Sequence, residues 1–121
     1  MKTKTKILVI DDELSILNAL NIILEDVGHI VVTAATGREG IKQFQLERFD
    51  ITITDLCLPD MTGLDVINQI CELQPGTRII LITSYANPET IAEMGKCRTA
   101  SLLLKPFEPA EIIDLVENLH V

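Results

Sequence analysis

A chain of 121 residues suits one domain with a single core, and at 47% apolar but only 3% aromatic residues that core must be aliphatic. The formal net charge of −8 argues against a direct nucleic-acid partner, which needs clustered Lys and Arg; the one basic run, Lys2, Lys4 and Lys6, is a solvated terminus by expectation. No stretch approaches the ~20 apolar residues of a membrane span and no signal-peptide core is present, so a cytoplasmic protein without a membrane partner is expected.

The first strand is expected at 6–10, through Ile7-Leu8-Val9-Ile10. The helix after it carries Ile16, Leu17, Leu20, Ile23, Leu24 and Val27 at three- and four-residue steps, with Gly28 as its C′ stop. A second strand at 30–34 leads to a helix whose Thr36 and Glu39 form a capping-box signature. After a third strand at 51–54, Thr62 is the expected N-cap of a helix with the stripe Leu64, Ile67, Ile70 and Cys71. A fourth strand at 78–82 precedes Asn87-Pro88, a cap and first-turn proline. They open a short helix, about 88–95, whose apolar set is only Ile91, Ala92 and Met94, so it should bury little. The last strand, 101–104, is followed by a helix from near Pro109 that should bury Ile112, Ile113, Val116 and Leu119.

Rich in Ile, Val and Leu, the strands are expected to be buried on both faces, as a parallel sheet requires. The pattern is (βα)5 over a single domain, 1–121, and right-handed crossovers place helices on both faces of a five-stranded sheet. Cys57, Cys71 and Cys97 form no C-x-x-C pair, and an odd count fits buried, unpaired thiols in a reducing compartment better than a disulfide framework.

In such a sheet Asp11, Asp12, Asp55, Thr83 and Lys105 all lie at C-terminal strand ends, the edge where open α/β sheets bind ligands. Three carboxylates beside one hydroxyl and one ammonium suit a divalent cation and a phosphoryl group. With an unperturbed pKa of ~3.9, Asp55 is an ionised nucleophile at neutral pH and can form an aspartyl phosphate. Mg2+ favours oxygen ligands and commonly uses one or two carboxylates plus a substrate phosphate. Thr83 could donate to one phosphoryl oxygen and Lys105 pair with another. Singly, most have plainer accounts: Asp11 and Asp12 could cap the first helix for ~0.3–1 kcal/mol, Asp55 could form a turn, and Thr83 could be an ordinary strand residue. Lys105, set between Leu104 and Pro106, resists one.

The motifs I-D-D-E at 10–13, D-x-x-x-P-x-x-x-G at 55–63, I-T-S at 82–84 and K-P-F at 105–107 are collinear and span almost the whole chain. Together they resemble the receiver domain of bacterial two-component response regulators, chemotaxis regulators included. The resemblance implies a flavodoxin-like sheet of order 2-1-3-4-5 and Mg2+-dependent phosphotransfer from a sensor histidine kinase or phosphotransfer protein to Asp55. It implies Asp12 as a direct metal ligand, Asp11 holding the metal through water, and the Cys57 carbonyl completing the protein ligands. Thr83 and Lys105 would take phosphoryl oxygens, and the Lys105–Pro106 bond would be cis. Its output face, helix 4, strand 5 and helix 5, would bind a downstream effector domain or protein, or form a homodimer.

Several positions depart from the family pattern. Leu102 replaces the usual aromatic three residues before the lysine, which should alter coupling between Thr83 and the output face. Arg98-Thr99 replaces a customary Gly-Ala, so the loop around 96–100 should differ. Cys57 and Tyr85 hold positions that by resemblance tune phosphoryl lifetime; neither orients an attacking water well, so slow self-dephosphorylation is expected. Three other readings compete. A haloacid-dehalogenase-type phosphatase would need a second acid where Cys57 stands; a flavodoxin would need amides and hydroxyls where two acids stand. A degenerate receiver used only for protein interaction would not need all five site residues. The expected role is a switch and not an enzyme.

Overall fold

The computed structural model describes residues 5–85, 87–94 and 100–119. In chain order the elements are β1 (Lys6–Ile10), α1 (Leu14–Asp26), β2 (Ile30–Ala34), α2 (Gly37–Leu46), β3 (Ile51–Asp55), α3 (Gly63–Leu73), β4 (Arg78–Thr83), α4 (Pro88–Met94), β5 (Ala100–Leu104) and α5 (Pro109–Leu119). All five strands pair in parallel in the order β2-β1-β3-β4-β5, the expected doubly wound arrangement. The expected strands hold to within a residue at each end.

Side-chain alternation splits the core in two. Leu8, Ile10, Ile79 and Leu81 point to one face with Phe44, Ile67, Ile70 and Met94 of α2, α3 and α4. Ile7, Val9, Ile53 and Ile80 point to the other with Leu17, Leu20, Ile112 and Val116 of α1 and α5. Burial on both faces holds for the central strands and fails at the edges. β2 leaves Ile30 and Thr33 exposed and β5 leaves Leu104 exposed, because an edge strand has a neighbour on one side only.

Local chemistry sets the helix ends. Gly28 takes φ 97 just after α1, as its C′ role demands. Thr36 accepts from the Glu39 N–H, and Thr62 with Asp65 completes a full capping box on α3. Asn87 Oδ1 accepts from the Thr90 N–H at 2.7 Å. The helix faces are rotated slightly from expectation. Val66 joins the buried face of α3, while Leu64 and Cys71 are only partly covered. Val27 is exposed beyond the end of α1, and Ile113 and Leu119 of α5 are half-buried. On α4, Thr90 and Met94 are buried and the expected Ile91 and Ala92 are exposed, so this seven-residue helix rests on one short edge.

The cysteine expectation is corrected. Cys57 is an exposed free thiol, not a buried one, and Cys71 is disulfide-bonded. Expectations for Lys2, Lys4, Cys97 and the Arg98-Thr99 loop fall outside the described residues.

Candidate functional site

Strand register brings the site residues level. Ile10 pairs with Thr54, Asp55 with Ile82 and Thr83 with Leu104, so the four strand ends finish along one line. Backbone bonds extend the ladder past each end: Asp11 N–H to the Ala34 carbonyl at 3.1 Å, Leu56 N–H to Ile82 at 3.1 Å, and Lys105 N–H to Thr83 at 2.8 Å. Asp55 and Thr83, which close β3 and β4, and Asp11 and Lys105, which follow β1 and β5, are thereby fixed at the sheet's rim.

Asp11, Asp12 and Asp55 each place a carboxylate oxygen within 4.8 Å of the others. The Lys105 ammonium lies 3.2 Å from Asp11, 3.3 Å from Glu13 and 3.5 Å from Asp55. Asp11 is fully buried, Asp55 is 7% exposed and Asp12 faces solvent. Burial pushes the Asp11 carboxyl above its usual pKa; the Glu13 N–H, bonded to Oδ1 at 2.9 Å, opposes this, and the Asp55 charge adds to it. Burial likewise raises Asp55 against the pull of Lys105. For Lys105 burial acts downward, but Asp11 and Asp55 outweigh it and the ammonium is held more tightly than usual. Among the described residues, the three clustered carboxylates and Glu13 face the single ammonium of Lys105, which leaves an anionic pocket of oxygen donors. That donor set fits a hard divalent ion such as Mg2+.

The other expected residues stand around this cluster. Thr83 is buried, but its hydroxyl donates to the Tyr85 carbonyl at 3.0 Å and accepts the Tyr85 N–H at 3.3 Å, so it is engaged with its own loop. The Tyr85 ring is exposed. Leu102 pairs with Leu81 in register and packs, half-buried, into the core that holds Met94. The Lys105–Pro106 bond is cis, as expected. Cys57 sits in the β3–α3 loop, where it bridges to Thr62. Gly63 closes that loop: its N–H donates to the Leu56 carbonyl at 2.6 Å, and a Cβ there would overlap the Asp55 carbonyl oxygen. The glycine eight residues after Asp55 is thus required by close approach of backbone.

Two residues were missed. Glu13, in the sequence only the last letter of I-D-D-E, faces the Lys105 ammonium. Asp60 accepts the N–H groups of Gly37 and Arg38, each at 2.9 Å, at the start of α2. No local signal joins positions that far apart in sequence. Those two backbone bonds, Arg38 first, hold the Asp60 carboxyl below its usual pKa.

The sequence matches the family model for the response regulator receiver domain over residues 7–117. The chain belongs to that family. Receiver domains are the phosphorylation-dependent switches of two-component regulatory systems. The chemotaxis protein CheY of Thermotoga maritima is 26% identical over 114 residues, covering 93% of this chain and 95% of that protein. The CheY4 chemotaxis protein of Vibrio cholerae superposes with a TM-score of 0.91 at 31% identity, over 97% of this chain and 99% of that one. The response regulator TrrA of Thermotoga maritima, solved in complex with Mg2+-BeF, gives a TM-score of 0.86 at 30% identity, covering 95% and 98%. Against Escherichia coli transcriptional regulatory proteins such as ZraR and GlrR, the receiver spans about a quarter of their length. Among the described residues no helix is long and apolar enough to cross a membrane.

Proposed function

We propose that this receiver domain, one unit over 1–121, accepts a phosphoryl group on Asp55 from a sensor histidine kinase or phosphotransfer protein in the cytoplasm. The observation that carries the reading is a nearly buried carboxylate flanked by two more and 3.5 Å from a lysine ammonium. A carboxylate oxygen of Asp55 forms the new P–O bond as the P–N bond to the donor imidazole breaks. Asp11, Asp12, Asp55 and the Cys57 carbonyl would hold Mg2+, which when bound supplies the positive charge that lets one anion approach another. Lys105 leaves its carboxylate partners for a phosphoryl oxygen. Thr83 serves another only after its hydroxyl gives up the Tyr85 carbonyl, and this exchange is what the neighbouring loop and α4 sense.

Output is assigned to the α4-β5-α5 face, where the exposed Ile91 and Leu104 offer apolar contacts to an effector or a second copy. The domain itself is the phosphoacceptor of its own phosphorylation and slow dephosphorylation, and turns over no other substrate. Intact mass after incubation with acetyl phosphate and Mg2+ tests the reading. The parent should gain one phosphoryl group; Asp55→Asn, or omission of Mg2+, should abolish the gain. Equal labelling of parent and variant would overturn it.

A further inference from the structure

We infer that Asp60 is a positioning residue for the metal site, acting through the N-terminus of α2. The inference rests on the proposed role of the Cys57 carbonyl as a ligand. That carbonyl belongs to a loop, and a loop atom can serve a small, geometrically demanding cation only if the loop is held still. The base of the β3–α3 loop is already held by the Cys57–Thr62 bridge, the Gly63–Leu56 hydrogen bond and the close seat of Gly63 on Asp55. Its tip is held by two contacts to α2. Asp60 takes the first two amides of the helix, one on each carboxylate oxygen, and the Met61 side chain lies where a Cβ on Gly37 would be. A carboxylate on free amides at a helix start is favoured by both hydrogen bonding and the helix dipole. The anchor is a different element from the one that follows the loop, so α2, which supplies no site residue, sets where the Cys57 carbonyl sits.

The test is Mg2+ affinity, measured by calorimetric titration of parent, Asp60→Ala, Asp60→Asn and Thr36→Ala, alongside urea unfolding. Thr36→Ala removes the other cap of the same helix, the acceptor of the Glu39 N–H, without touching the loop. It should lower stability and leave the Mg2+ dissociation constant unchanged. Asp60→Ala should raise that constant about tenfold, at the low end of what supporting partners of a metal site contribute. Asp60→Asn, which keeps one acceptor oxygen, should fall between, and it carries the comparison if the alanine variant does not fold. Unchanged affinity in the Asp60 variants, or an equal loss in Thr36→Ala, would overturn the inference while leaving the metal site standing. A parent that binds no Mg2+ would sink both.

Discussion

Replacing Asp55 by asparagine should stabilise the metal-free protein. The carboxylate lies within 4.8 Å of its acidic neighbours and 3.5 Å from the Lys105 ammonium. At an effective dielectric of about 20, the repulsion from one such neighbour is about 3.5 kcal/mol and the attraction to lysine about 5 kcal/mol. Asp12 is exposed, so its repulsion is roughly half as large. Attraction and repulsion therefore nearly cancel, and the desolvation of a carboxylate only 7% exposed outweighs what the Leu56 and Cys57 backbone N–H groups return. The raised pKa of Asp55 has the same sign. Asparagine keeps the shape and removes the charge, for an expected gain of about 1 kcal/mol, or roughly 3–5 °C in Tm for a domain of this size. Mg2+ should reverse the order. At about ten times its Kd it stabilises the parent by about 1.4 kcal/mol, and the variant, short of one ligand, by much less. Thermal unfolding of both proteins with EDTA and with Mg2+ gives the four numbers. An Asp55→Asn protein less stable than the parent in EDTA, or equally stabilised by Mg2+, would refute the argument.

Lys105→Met removes the cation that, among the described residues, faces the fully buried Asp11 and should cost about 2–3 kcal/mol in EDTA, with most of it restored by Mg2+; a loss that Mg2+ does not reduce would mean the lysine acts through packing alone. In the metal-free protein the raised pKa values of Asp11 and Asp55 mean that the folded state binds protons more tightly than the unfolded one. Their contribution to stability should therefore fall as pH rises from the ordinary 3.8 through the raised values. Asp60, held below 3.8, acts in the opposite sense, its contribution present above 3.8 and lost as pH falls through its folded pKa; urea midpoints of parent, Asp55→Asn and Asp60→Asn between pH 3 and 7 separate the two slopes. Cys57→Asn with Tyr85→Glu should shorten the life of the phosphorylated state several-fold, about 1 kcal/mol in the barrier, and a longer-lived double variant would reject the assignment of those positions. Leu102→Tyr should enlarge the change in amide exchange across α4 and β5 on phosphorylation; equal changes in variant and parent would show that leucine couples as well as an aromatic.

Central strands and helix caps were legible because their causes are local. Ile7-Leu8-Val9-Ile10 is a β-branched-rich apolar run of strand length that suits burial on both sides, and Thr62 lies three residues from the amide it caps. The carboxylate cluster was legible for a less local reason. Each acid ends an apolar run, and parallel pairing carries run ends to one rim. What stayed hidden depends on which strand lies at an edge and how each helix is rolled. The edge positions of β2 and β5 expose Ile30 and Leu104, whose residue types argue for burial. The roll of α4 buries Thr90, which lines a cavity with the β3–α3 loop, and leaves Ile91 exposed, the reverse of what residue type suggests. The bond from Asp60 to the start of α2 joins segments more than twenty residues apart, beyond any periodicity or capping rule read along the chain.

At the rim Lys105 and Thr83 make bonds that their proposed tasks would break, and the two buried acids hold their charge at a cost. Lys105 is shared among three carboxylates, Thr83 is committed to the Tyr85 backbone, and Asp11 and Asp55 are ionised only against their burial. A site satisfied without a ligand would gain little from binding one, because the new contacts would only replace old ones of equal strength. On the proposed mechanism a cation would relieve repulsion, and the phosphoryl group would take Lys105 and Thr83 from the partners they hold in this structure. In that proposal the Thr83 exchange matters most for signalling. Its present acceptor lies in the segment that leads through Asn87, the cap of α4, into the helix that buries only Thr90 and Met94. A short helix with so small a buried face has little packing energy to resist displacement of its leading loop. In the proposed switch, rigid strands that hold the charges in place and a lightly anchored α4 that can follow Thr83 are two parts of one device, and anchoring α4 more firmly should blunt its response to phosphorylation.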